Sequence, residues 1–312
     1  MIVDLPDTTV SKIARSLVSV REEGGAVALG RVLTLVIVTS HGLEEDAIEA
    51  ANDASREHPM RVIVLMASTD GPSKLDAQIR VGGDAGASEV VVLRASGDAA
   101  SNEESLITGL LLPDAPVVAW WPDNPPAVPS QSPIGRMAQR RITDAATKPY
   151  ANDRLARLGL CHEPGDTDLA WTRLTHWREQ LAAVLDQPPF EAVTAIEIVG
   201  SGSSPSTGLL AAWLRLQLDV PVDWRYAPRD EWQHGIQRVR LTRASGDIVL
   251  ERSNATDATL TQPGQPSHDI VLPRRTLREC LAEELRRLDP DLLYGRVITT
   301  GWELLGPPQG TM

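Results

Sequence analysis

Cysteine is almost absent from this 312-residue chain, which has only Cys161 and Cys280. Two isolated thiols exclude a disulfide framework and the paired spacing of a zinc site, and they fit a reducing cytoplasm. Long apolar runs are missing too. No stretch approaches the ~20 residues of a membrane-spanning helix. The start, Met1-Ile2-Val3-Asp4-Leu5-Pro6, lacks the basic segment and apolar core of a secretory signal. Grouped positive charge is also missing. The formal net charge is -12, and residues 1–160 and 161–312 each carry 15 Lys+Arg against 21 Asp+Glu. Evenly spread acidity argues against nucleic acid or an anionic membrane as a partner, because phosphate recognition needs clustered cations.

The familiar catalytic signatures are absent as well. No Gly-Lys-Ser/Thr triplet is available for a phosphate loop, and no G-x-S-x-G for a nucleophile elbow. His41, His58, His162, His176, His234 and His268 are scattered, with no pair at helical metal-ligand spacing. Cys280 falls between Leu277 and Leu281 on an apolar helix face and reads as a core thiol. The sequence therefore predicts no catalytic set, no metal and no cofactor.

What is present begins with Pro116 to Trp121, a short apolar run ending in adjacent tryptophans. In a strand, neighbouring side chains point to opposite faces, so Trp120 and Trp121 are expected on opposite sides of a sheet. Prolines 122, 125, 126, 129 and 133 then force the chain out as a loop. Two readings stay open: both indoles fill the core, or one ring joins Pro122 and Asp123 in a recognition surface. Trp121, next to the proline break, is the better candidate for contact.

The length suggests two domains, set here as 1–150 and 166–312. Val10, Ile13, Ala14 and Leu17 repeat at helical spacing, and Gly24-Gly25 is read as that helix's end. Continuous β-branched runs at 32–38 and 61–66, with a further strand at 89–93, alternate with helical segments at 44–57 and 104–111. This predicts βαβ units and a largely parallel sheet flanked by helices. Lys74 to Arg80 reads as polar connection, and 81–88, with three glycines, as a possible hairpin that would make the sheet mixed. Residues 134–146 are expected to be helical.

In the second half, Asp168 is an expected N-cap, followed by Ala170, Leu174, Trp177, Leu181 and Val184 on one helical face. Strands are expected at 192–199 and 220–226. An antiparallel hairpin is expected around Ser245-Gly246-Asp247, with further strands at 256–261 and 269–272, giving a mixed sheet. A capping box at Thr276 to Glu279 starts a helix expected to bury Leu277, Leu281, Leu285 and Leu288, with Asp289-Pro290 ending it. Tyr294 to Leu305 is expected to dock, and the chain from Gly306 onward to be disordered.

Two local constellations carry functional readings. Gly200-Ser201-Gly202-Ser203-Ser204-Pro205 follows a strand and opens a helix, and Asp223 is read at the end of the next strand. That placement resembles a dinucleotide loop, although Pro205 stands where a third glycine is required. A capped turn explains the same residues without a ligand. The second is Asp168 to Arg178, where Trp171, Arg173 and Arg178 bring together residue types that dominate protein interfaces. It serves either as packing between the two halves or as a partner surface.

Trp120-Trp121-Pro122, Arg141-Ile142-Thr143-Asp144, Asp168 to Arg178, Pro205-Ser206 with Leu209 to Leu214, and Leu288 to Asp291 with Tyr294-Gly295 together resemble the glucose-6-phosphate dehydrogenase assembly protein family, OpcA. His176 stands where proline is expected in many relatives. The resemblance implies a cytoplasmic, non-catalytic partner and allosteric activator of glucose-6-phosphate dehydrogenase in the oxidative pentose phosphate pathway. Partner contact would come from Trp120, Trp121, Pro122, Asp123, Asp168, Trp171, Arg173 and Arg178. In some relatives cysteine redox chemistry tunes activation, and Cys161 with Cys280 gives no expectation of such a switch here. The alternative is a sugar-phosphate- or nucleotide-binding enzyme using Gly200, Gly202, Ser204 and Asp223.

Overall fold

A computed structural model of the chain describes residues 1–23, 32–82, 89–147, 151–228, 232 and 235–308. The expectations that fall on Gly24-Gly25 and on 83–88 lie outside the described residues. The chain divides into two compact units, each discontinuous in sequence. The first is Met1–Asp144, Gly165–Thr167 and Leu277–Pro290; the second is Ala145–Pro164, Asp168–Thr276 and Asp291–Met312. A single cut between 150 and 166 misses this interleaving, because the helix Leu277–Arg286 groups with the first unit.

The first unit is built on an eight-stranded sheet: β1 (Ile2–Leu5), β2 (Leu33–Val38), β3 (Met60–Ser68), β4 (Lys74–Arg80), β5 (Glu89–Ser96), β6 (Val117–Trp121), β7 (Arg140–Thr143) and β8 (Asp166–Asp168). Their order is β1-β4-β5-β3-β2-β6-β7-β8. The run β5-β3-β2-β6-β7 is parallel throughout. The chain winds outward from β2 in both directions, so the strand order reverses between β2 and β6. In doubly wound sheets the crevice beyond the carboxyl ends at such a point is where ligands bind. β2, β3 and β6 are buried along nearly their whole length, as their apolar runs require.

Helices α1 (Val10–Glu23), α2 (Glu44–Ala54), α3 (Glu103–Thr108) and α4 (Pro133–Met137) connect these strands. α2 buries Ala47, Ile48, Ala51 and Ala54 and carries Glu44, Glu45 and Asp46 in its first turn, where acids complement the helix dipole.

β1, at the start of the chain, pairs antiparallel with β4. Two sequence expectations need correction in this unit. Lys74–Arg80 is a strand, β4, which buries Leu75, Ala77 and Ile79 by alternation; it is what makes the sheet mixed, through its antiparallel pairing with β5. The expected helix over 134–146 ends at Met137, and Arg140–Thr143 forms β7 instead. Two arginines open that strand, and both are buried with acidic partners: Arg140 with Glu284, Arg141 with Asp166. Their polarity hides a buried strand from a hydrophobicity pattern.

The second unit carries a six-stranded sheet of β9 (Ala195–Ser201), β10 (Val222–Ala227), β11 (Ile236–Arg243), β12 (Gly246–Arg252), β13 (Asp257–Thr261) and β14 (His268–Val271), in the order β10-β9-β11-β12-β13-β14. Only the β9–β10 pair is parallel; the other pairs are antiparallel, including the β11–β12 hairpin. Helices α5 (Ala151–Leu160), α6 (Leu169–Thr172), α7 (Thr175–Leu185), α8 (Pro205–Leu218) and α10 (Leu292–Arg296) join them, and α10 runs on into a π turn at Val297–Gly301. α9 is the helix Leu277–Arg286 of the first unit.

α8 buries every residue from Pro205 to Leu214, so it is a core element rather than a surface helix. Gly301 permits its close approach, because a Cβ there would stand 2.9 Å from the Ala212 carbonyl oxygen. Tyr294, Val297 and Ile298 are buried, so this segment docks. Gly306 is held too: its carbonyl accepts from Trp224 Nε1 at 2.8 Å, where disorder was expected.

Candidate partner-binding residues

β6 sends its tryptophans to opposite faces, and both are core. Trp120 is 0% exposed and Trp121 is 3% exposed, the latter packed with Val36, Ile63 and Ala119. Trp121 therefore presents no free indole at the surface of this chain. β2 and β7 pair with the two edges of β6, so it is an interior strand of the sheet, and it is buried on both faces along its whole length.

The surface emerges just beyond. Pro122 is half-buried and Asn124 is exposed. Asp123 is 4% exposed, and its Oδ2 accepts from Ser40 Oγ at 2.5 Å and from Asn124 Nδ2 at 3.1 Å. Ser40 follows β2, so this knot joins the carboxyl ends of β2 and β6 at the point of strand-order reversal. An anionic carboxylate there disfavours phosphate at the spot where a doubly wound sheet would ordinarily take one.

In the second unit Asp168 is wholly buried and caps α6: its Oδ1 accepts from Ala170 N at 2.9 Å, and its Oδ2 from Ala145 N at 3.0 Å. Trp171 is also buried, and its Nε1 donates to Asp291 Oδ2 at 2.8 Å. Asp291 Oδ1 in turn accepts from Tyr294 N and caps α10. The guanidinium of Arg178 lies 3.8 Å from the centre of the Trp171 ring, a cation–π contact of about 0.5–2 kcal/mol. Asp168 and Trp171 thus shape the unit, while Arg173 and Arg178 stay half-exposed.

Arg173 lines a small cleft with Trp177, Ser204, Ser206, Arg252 and Arg274. Sequence reasoning missed Arg252 and Arg274, because β12 and the segment before α9 meet Arg173 only in three dimensions. Arg252 is buried, and desolvation, reinforced by repulsion from Arg274, lowers its pKa to about 10.

The Gly200 turn is filled from within. A Cβ on Gly200 would stand 2.9 Å from the Gly235 carbonyl oxygen, and one on Gly202 would stand 3.3 Å from the Tyr226 ring. Ser204 is the N-cap of α8 without a side-chain capping bond. Asp223 pairs with Glu197 near the start of β10, whereas Gly200 pairs with Tyr226 at the other end. The dinucleotide reading needs its acid beside the glycine turn, and this strand register puts Asp223 three residues short of it.

Residues 51–159 match a family model described as the glucose-6-phosphate dehydrogenase subunit N-terminal domain, and residues 164–298 match the corresponding C-terminal domain. A protein of Synechocystis sp. bearing the name OxPP cycle protein OpcA is 29% identical over 160 residues, which cover 48% of this chain and 33% of that protein. The match thus spans about a third of that relative's length. Among solved structures, glucose-6-phosphate 1-dehydrogenase from Mycobacterium avium aligns with a TM-score of 0.43 at 14% identity, over 88% of this chain and 91% of that one. An oxidoreductase from Sinorhizobium meliloti aligns with a TM-score of 0.44 at 12% identity, over 85% and 86%. With both domain models of one family matched in order along its length, the chain belongs to the glucose-6-phosphate dehydrogenase assembly protein family, OpcA.

Proposed function

We propose that this chain is a non-catalytic cytoplasmic assembly factor that binds glucose-6-phosphate dehydrogenase and favours its active oligomer or conformation at the start of the oxidative pentose phosphate pathway. The observation that carries this reading is the paired match to the two domain models of that family. Local geometry supports it. Two of the segments that carry the resemblance, at 120–122 and 168–178, spend their largest side chains on internal scaffolding and leave half-exposed arginines and a proline loop at the surface. Trp and Arg dominate protein-binding hot spots, and the cleft of Arg173, Trp177, Arg252 and Arg274 has that composition on an otherwise acidic chain. Among the described residues no helix is long and apolar enough to cross a membrane.

In this reading the proline loop from Pro122 and the half-exposed Arg173 and Arg178 contribute to the dehydrogenase interface, with Asp123, Asp168, Trp120, Trp121 and Trp171 holding their frame. Activation then follows from differential affinity: the chain shifts the enzyme's equilibrium only as far as it binds one state better, typically by about 1–3 kcal/mol. Assays of glucose 6-phosphate oxidation test it. The purified chain alone should turn over neither nicotinamide cofactor, and its addition should raise kcat or lower KM of the dehydrogenase from its own organism. Turnover by the chain alone, proportional to its concentration and surviving repurification, would overturn it.

A further inference from the structure

The second unit contains a cavity of about 260 Å³ that the partner reading does not use. It opens beside the carboxyl ends of β9 and β10. Trp224 and Tyr226, two apart on β10, project on the same side and meet edge-on, with ring centres 5.8 Å apart. Trp302, from the end of the π turn, supplies a third aromatic wall, and Gly202 lets the Tyr226 ring pack close. The tail Gly306–Pro308 forms the remaining side, pinned through Trp224.

Among the described residues Asp153 is the only charged one in the cavity's lining, and it is exposed. Asn152 donates its Nδ2 to the Tyr226 hydroxyl oxygen at 2.6 Å, while its own Oδ1 is buried towards Gly208 of α8 and away from the cavity. Burial raises the pKa of Tyr226; the hydrogen bond from Asn152 opposes this, and the charge of Asp153 adds to it. Aromatic faces carry negative quadrupole, so the three rings and the Asp153 carboxylate all favour a positively charged hydrogen-bond donor.

We propose that this cavity binds a hydrogen-bonding organic cation, a guanidinium or primary ammonium group, held over the rings of Trp224, Tyr226 and Trp302 and paired with Asp153. Calorimetric titration with N-acetyl-L-arginine amide tests it against its neutral isostere, N-acetyl-L-citrulline amide. Agmatine serves as a free small cation. The arginine derivative or agmatine should bind saturably, at least tenfold tighter than the citrulline derivative. Asp153→Asn, a change at an exposed position, should remove most of that difference while the melting temperature stays unchanged. If agmatine binds as well as the blocked arginine, the cation comes as a free metabolite; if only the blocked arginine binds, it comes as a protein side chain. Equal binding of the arginine and citrulline derivatives, no saturable binding of either cation, or an unchanged titration in Asp153→Asn would overturn the assignment.

Discussion

Arg140 and Glu284 lie 144 residues apart in sequence and meet as a buried ion pair, with Arg140 Nη1 also donating to the Asp289 carbonyl oxygen at 2.8 Å. This pair fastens α9 to the sheet of the first unit at β7. On the outer side of α9, Arg278 pairs with Glu49 and Asp53 of α2. The exposed pairs add little, because solvent screens them.

Removing one partner of the buried pair is a different matter. Glu284→Ala should destabilise the chain by about 3–5 kcal/mol, since Arg140 would remain buried and charged. Arg140→Met with Glu284→Leu should recover most of that loss, as apolar replacement of a buried pair is often near neutral. Urea unfolding midpoints measure both. A Glu284→Ala midpoint equal to wild type would contradict the packing described.

The tryptophans of β6 should behave alike. Trp120→Ala and Trp121→Ala are core truncations costing about 3–5 kcal/mol each, and each should lower the melting temperature. Asn124→Ala instead loosens the knot with Ser40 and Asp123 at an exposed position. It should weaken the complex with the dehydrogenase about tenfold while leaving the melting temperature within a few degrees. Thermal unfolding and affinity, measured for all three, separate frame from surface. If Asn124→Ala binds normally, the loop is not part of the interface.

Acid stability should depend on Glu197. Burial pushes its carboxyl pKa up, but the hydrogen bond from Arg238 and the charges of Arg225 and Arg238 outweigh this and hold it below the ordinary value of 4.5. A carboxylate depressed in the folded state contributes stability that is complete above its unfolded pKa and is lost as pH falls through the folded value. Glu197→Gln should therefore lower stability at neutral pH and flatten its decline below about pH 4.5. Parallel acid-unfolding curves for wild type and variant would show that the pairing contributes nothing.

The parts of this fold that sequence revealed are those whose cause is local. β2, β3 and β6 show as continuous apolar runs, Asp168 shows as a cap before an apolar face, and Ser245 to Asp247 as a hairpin turn. Lys74–Arg80 alternated as a strand should, yet its charged outer residues made it look like connection. β7 was hidden for a non-local reason: Arg140 and Arg141 are acceptable inside only because Glu284 and Asp166 come to them from elsewhere in the chain. The same limit applies to function. The Asp168 to Arg178 segment was visible, but the bond from Trp171 to Asp291 spans 120 residues. The convergence of Arg252 and Arg274 on Arg173 likewise has no signature along the sequence.

The most direct test of the central claim is size-exclusion chromatography with light scattering of this chain mixed with the dehydrogenase of its own organism. A co-eluting complex of defined mass, whose formation shifts the dehydrogenase toward one oligomer and parallels its gain in activity, is the predicted result. Two separate peaks at the masses of the individual proteins, at concentrations well above those of the activity assay, would contradict it.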